Sequence, residues 1–142
     1  MTIYLDFDGT VVEHQYPKMG RINYGCMEVI KKLQDAGHEI ILNTYRADLN
    51  DGTLEEAVRF LNEECWMFFK NRDSENSLQP LTGVLTKKVH APMWDLKRAI
   101  IEGVLFIDDQ SKGTPLKPNV MSSGNMVDWD ALDNLFKLNN LY

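Results

Sequence analysis

No stretch of this chain approaches the ~18 consecutive apolar residues that a membrane span requires, and neither an internal repeat nor a low-complexity segment is present. Cysteine is scarce. Cys26 and Cys65 form no CxxC pair and have no histidine at metal-ligand spacing, so the expectation is two reduced, semi-buried thiols. Positive charge is also in short supply, with 15 Lys and Arg against 21 Asp and Glu. A net charge of −6 opposes broad non-specific nucleic-acid binding. No basic-then-apolar leader follows Met1, which gives the expectation of a cytoplasmic protein with no membrane partner. What remains is ordinary for a globular protein: 44% hydrophobic and 25% charged residues in a chain of 142. That composition excludes a disordered tail, a collagen-like repeat and a coiled coil, and the length suits one domain over residues 1–142.

Short apolar runs alternate with stretches of helical period. Thr2-Ile3-Tyr4-Leu5 reads as a strand that stops at Asp6. Cys26, Val29, Ile30 and Leu33 recur at three- and four-residue spacing, a helix face for which Gly37 supplies the stop. Glu39-Ile40-Ile41-Leu42 reads as a second buried strand, and Thr53 with Glu56 as a capping box ahead of a second helix. Trp66 to Phe69 is a third strand candidate, followed by a polar loop over 71–80. Pro92 suits the first turn of a helix running to Ile101 and closed by Gly103, with Asp95 exposed on it. Val104-Leu105-Phe106-Ile107 is the clearest strand, ending at Asp108-Asp109. A last strand around Val120 and a helix after Asp128 complete the pattern. Continuous apolar strands separated by helices predict an α/β fold, a Rossmann-like three-layer sandwich whose central parallel sheet is covered on both faces.

Two of these strands end in paired carboxylates, Asp6 with Asp8 and Asp108 with Asp109. Ligands of open α/β sheets bind in the crevice at the carboxyl ends of the strands, so both pairs converge there. Four carboxylates at one edge repel one another, and the simplest neutraliser is a hard divalent cation with oxygen ligands, for which Mg²⁺ fits best. A solvated loop acid or helix cap would account for one pair alone; two pairs on two buried strands ask for more. Asp6 and Asp8, two residues apart in extended chain, address one group from the same side. One such carboxylate can serve as nucleophile while the other carries a proton, if their surroundings push their pKa values apart. Gly9 permits the sharp turn that follows, and Thr10 can hydrogen-bond within it.

The run Asp6-Phe7-Asp8-Gly9-Thr10 after an apolar strand resembles the signature of the haloacid dehalogenase-like phosphohydrolases. Ile40-Ile41-Leu42-Asn43-Thr44 is similar to that superfamily's second motif, Lys88 to its third, and Asp108-Asp109 to its fourth, in family order along residues 6 to 109. The resemblance implies a Mg²⁺-dependent phosphatase with an aspartyl-phosphate formed on Asp6. It implies that Asp8 is general acid and base, with its backbone carbonyl on the metal. Thr44 and Lys88 hold phosphoryl oxygens. Asp108 ligates the metal directly, and Asp109 acts through water or by orienting the lysine. Gly9, Thr10 and Arg46 complete the expected phosphate-binding set.

Other residues carry weaker expectations. Lys87 and Lys112 compete with Lys88 for the phosphate-site role, and any of the three is more often a solvated surface lysine than a phosphate ligand. Position favours Lys87 or Lys88, and the Lys-x-x-Ala run from Lys88 to Ala91 selects Lys88. Arg46 can fork onto a phosphate oxygen, or form a structural ion pair with the same acids. His14, Tyr16 and Lys18 follow the first motif in a segment that forms a flap beside the site in the family, and ordinary loop roles suit them better. The spacing between motifs leaves no room for a large cap domain. An uncapped site is open to a phosphorylated substrate of any size, including a nucleic-acid end, or to a lid from a second copy of the chain. A signalling receiver domain uses similar residues but in another order. A module of the same fold that binds phosphate without turnover is the alternative from outside the enzymes.

Overall fold

The computed structural model describes residues 1–64 and 81–142. Four parallel strands form the central sheet: β1 (Thr2–Leu5), β2 (Glu39–Leu42), β3 (Gly83–Val84) and β4 (Val104–Ile107), in the spatial order β3-β2-β1-β4. Helices α1 (Cys26–Asp35), α2 (Arg46–Leu49), α3 (Thr53–Arg59), α4 (Leu96–Glu102) and α5 (Trp129–Leu138) flank it, with a π-helical turn at Phe60–Glu64 continuing α3. The architecture is the expected three-layer α/β sandwich. Strand order runs outward from β1 to β3 and then returns to the other side of β1. Right-handed crossovers therefore place α4 on the face opposite α1.

The strands form because short β-branched and aliphatic runs can bury alternate side chains on a pleated surface. Ile3, Leu5, Ile40, Leu42, Leu105 and Ile107 are buried, whereas Tyr4, Ile41 and Phe106 on the other face are only half-buried. Cover is thus unequal: one face carries the tight core, and on the other the Tyr4 and Phe106 rings stack with centroids 4.9 Å apart. Register sets up the site. Leu5 pairs with both Leu42 and Ile107, so β1, β2 and β4 end flush. The next residues, Asp6, Asn43 and Asp108, stand side by side at one edge; Asp6 N–H donates to the Ile107 carbonyl and Asn43 N–H to that of Leu5.

Helix α1 ends as the glycine signal predicts: Gly37 takes φ 93°, and His38 N–H donates to the Leu33 carbonyl. Three boundaries differ from expectation. Thr53 does not cap α3; it lies inside the helix, and the Asp51 carboxylate accepts both its N–H and its hydroxyl. An acid two residues upstream outcompetes the threonine as acceptor for the helix's free N–H groups. Pro92 lies ahead of α4, because Asp95 caps that helix by accepting from Arg98 N–H at 3.1 Å. Asp95 is exposed, as expected. The strand expected around Val120 is instead the exposed tip of an antiparallel hairpin, β5 (Leu116–Pro118) with β6 (Asn125–Val127). Gly124 and the Asn119 side chain turn the chain there, and Asn119 N–H donates to the Gly124 carbonyl. Cys26 is fully buried rather than semi-buried, and it forms no disulfide among the described residues. Cys65 and the strand expected at Trp66 to Phe69 lie outside the described residues.

The C-terminal helix is held by a charged cluster. Asp133 accepts from the Tyr142 hydroxyl, from Lys32 at 3.2 Å and from Lys137 at 3.0 Å. Partial burial works against its charge, but these three donors bring its pKa down from 3.8 to about 2. A depressed carboxyl pKa stabilises the fold above the unfolded value and ceases to do so as pH falls through the folded one. Asp133→Asn is expected to cost about 1 kcal/mol at pH 7 after solvent screening. That difference should shrink to roughly half by pH 3, as urea denaturation of the two proteins at both pH values will show.

Candidate functional site

The segment after β1 turns sharply at Gly9, where φ is 80°. A side chain there would run into the Asp109 carboxylate. Glycine therefore serves twice, in the turn and in admitting the second acidic pair. The turn is tied from within. Thr10 Oγ1 donates to Asp6 Oδ2 at 3.1 Å and accepts from Asp109 N–H at 3.3 Å, bridging the two acidic loops. Its carbonyl accepts from the Trp129 indole at 2.8 Å and from Asn23 Nδ2 at 3.0 Å, which fastens α5 and the loop before α1 to the same turn.

Asp6, Asp108 and Asp109 gather with ligand oxygens all within 4.8 Å of one another. Asp6 and Asp108 are buried, Asp109 partly so. Lys88 reaches into the group, 3.2 Å from Asp6 Oδ1 and 3.0 Å from Asp108 Oδ2. Lys87 and Lys112 are exposed. Of the three lysines in question, Lys88 is the one that the fold brings to the acids. Burial, and then the charge of Asp108, push the Asp6 carboxyl well above its ordinary pKa, which Lys88 only partly offsets. Burial also raises the Asp109 carboxyl above its ordinary pKa. Burial alone would lower the Lys88 pKa, yet the charges of Asp6 and Asp108 outweigh it and hold the ammonium above its ordinary value. One lysine does not neutralise three clustered carboxylates. The donors are all hard oxygens, a set suited to Mg²⁺.

Asp8 behaves differently from its neighbour. Its carboxylate turns to Arg46, receiving Nε on Oδ2 and Nη2 on Oδ1, both at 2.7 Å. Arg46 is fully buried. It also donates to the carbonyls of Thr53 and Lys18 and lies over the rings of Phe7 and Tyr16 at 5.1 and 5.3 Å. The fork onto Asp8 keeps its pKa above the ordinary arginine value against the pull of burial. Asp8 therefore stands outside the carboxylate cluster as a side chain, though it lines the same cavity.

Three residues expected to bind phosphate are thus otherwise engaged. The Arg46 fork is spent on Asp8. The Thr10 hydroxyl is spent on the acidic loops, and Gly9 N–H donates to the Val12 carbonyl at 2.8 Å. Thr44 is better placed. It is buried at the end of β2 and lines the cavity, and its Oγ1 accepts Arg46 N–H, which leaves the hydroxyl proton free to donate. His14 and Tyr16 also line the cavity. Lys18 contributes through its backbone carbonyl.

Sequence reasoning missed the residues that deliver Lys88. Asn43 grips Val89 in both directions, Nδ2 to carbonyl and N–H to Oδ1, each at 2.8 Å. Asp48 accepts Lys88 N–H at 3.0 Å. The only available signal was the place of Asn43 just before Thr44 at a strand end. The cavity over the cluster measures about 590 Å³ and is also lined by Tyr45, Leu49, His90 and Gln110.

No protein-family model matches the chain, and no curated protein does. Among solved structures, a conserved protein from Bacteroides thetaiotaomicron is similar in fold, with 27% sequence identity and a TM-score of 0.56, over 98% of this chain and 91% of that one.

Proposed function

We propose that this protein is a Mg²⁺-dependent phosphomonoester hydrolase of the haloacid dehalogenase-like type, acting through a phosphorylated Asp6. One observation carries the reading: Asp6, Asp108 and Asp109 converge with Lys88 at flush strand ends, beneath an open cavity. Asp6, Asp108 and Asp109, with the Asp8 carbonyl, would hold the ion. Once bound, it offsets the mutual repulsion of an anionic nucleophile and an anionic phosphate.

The chain's own groups divide the remaining work. An Asp6 oxygen attacks phosphorus in line with the leaving oxygen, forming an acyl phosphate as the ester P–O bond breaks. Asp8 gives up one of its two bonds to Arg46, takes a proton from solvent on the oxygen so freed, and passes that proton to the departing alcohol. It then takes a proton from the water that attacks phosphorus and frees Asp6. Thr44 Oγ1 and Lys88 Nζ donate to the phosphoryl oxygens as charge builds on them. The buried fork from Arg46 gives Asp8 a defined resting position between these steps.

Hydrolysis of p-nitrophenyl phosphate, with Mg²⁺ and with excess chelator, tests the proposal. Turnover that chelator removes and added Mg²⁺ restores is the expected result. Turnover indifferent to chelator would overturn the metal's part. Phosphate binding with no turnover would instead favour a non-catalytic module of the same fold.

A further inference from the structure

The mouth of the cavity differs in chemistry from its floor. Tyr45 directly follows Thr44 and stands 60% exposed beside a buried acidic centre. His14, Tyr16, Leu49 and His90 line the same cavity. An aromatic side chain left this open adds little to the core, whereas its flat, amphipathic face is well suited to a planar partner. Charge narrows the choice further. Among the described lining residues the only lysine and arginine are Lys88 and Arg46, both already paired with acids. No permanent cation there is left to meet a second phosphate, which argues against a polyphosphate or a nucleic-acid backbone. The volume, about 590 Å³, falls within the range of small-molecule sites, roughly 300–1,000 Å³, and exceeds what a phosphoryl group alone occupies.

We infer that the site takes a small phosphate monoester whose alcohol carries a planar aromatic ring, with Tyr45 as the seat of that ring. This rests on the hydrolase reading above and narrows it to a substrate class. A nucleoside monophosphate and a simple aryl phosphate both present that chemistry.

The test compares kcat/KM for adenosine 5′-monophosphate, phenyl phosphate and ribose 5-phosphate in wild type, Tyr45→Ala and Tyr45→Phe. Wild type is expected to prefer the ring-bearing substrates over ribose 5-phosphate by about ten-fold, the scale of one ring stacked on an aromatic side chain. That preference should collapse in Tyr45→Ala and survive in Tyr45→Phe, which keeps the flat face. The phenyl phosphate arm separates the two sources: parity with the nucleotide assigns the site to aryl phosphates, and a shortfall assigns it to nucleosides. Equal turnover of all three overturns the substrate class while leaving the hydrolase intact. If none is turned over while p-nitrophenyl phosphate is, the substrate class fails and the hydrolase stands. If p-nitrophenyl phosphate is not turned over either, the hydrolase reading fails, and calorimetric binding of adenosine 5′-monophosphate with Mg²⁺ decides this one. Binding weakened in Tyr45→Ala but kept in Tyr45→Phe upholds the aromatic seat, and absence of binding removes it.

Discussion

Asp6→Asn is expected to lower Mg²⁺-dependent turnover of p-nitrophenyl phosphate by at least about 10⁴-fold, the scale of losing a covalent nucleophile. It should do so without unfolding the protein. An amide cannot form the acyl phosphate, because its oxygen is a far weaker nucleophile and the product would have no stable form. Stability points the other way. Asp6 is buried beside Asp108 and Asp109, and its surroundings oppose its charge. Removing that charge relieves repulsion in the metal-free protein, while Lys88 keeps its partner Asp108 at 3.0 Å. Thermal unfolding in chelator should therefore show a midpoint that is unchanged or higher. A structural acid would behave oppositely, with stability and activity falling together. Residual turnover within about a hundred-fold of wild type would show that Asp6 is not the nucleophile.

Arg46→Met carries the largest expected cost in stability, about 3–5 kcal/mol, because truncating one side of a buried ion pair strands the other. The substitution removes the fork onto Asp8 and the bonds to the Thr53 and Lys18 carbonyls together. Methionine fills part of the space between Phe7 and Tyr16 but donates to none of these oxygens. Urea denaturation of Arg46→Met, Asp8→Asn and the double variant closes a thermodynamic cycle. The double variant should be less destabilised than the two losses summed, by at least about 1 kcal/mol. Strict additivity would mean that the fork contributes nothing between these two residues.

Much of this arrangement was legible in the sequence, for a physical reason. A parallel strand buried among helices must be apolar along its length, so the point where it becomes acidic marks where the chain leaves the core. Asp6 and Asp108 were readable in that way. The register that sets them side by side follows from flush apolar runs of equal length. Cap positions were less legible. Asp51 and Thr53 are both good acceptors, and only the backbone path decides which one serves α3. Choosing among Lys87, Lys88 and Lys112 was harder still, since the choice depends on Asn43 and Asp48, residues 46 and 40 positions away from their partners in the Lys88 segment. The two roles open to Arg46 divide on whether Asp8 faces it, which no local pattern encodes. The hairpin at 116–127 escaped because its strands are only three residues long, too short to show an alternating pattern, with the exposed Val120 drawing attention to the turn between them.

The mutual grip of Asn43 on Val89 has a consequence for how this protein can change over time. Two hydrogen bonds join the chain where it leaves β2 to the chain where it presents Lys88. The stretch between them is thus a closed excursion, stapled at its neck. Lengthening such an excursion costs chain entropy only slowly, about 0.6 kcal/mol for each doubling. Growth or exchange of sequence outside the parts of this excursion that carry Thr44, Arg46, Asp48, β3 and Lys88 leaves the reacting groups where they are. The site is in this sense insulated from its own periphery, and new specificity could be added there without rebuilding the centre.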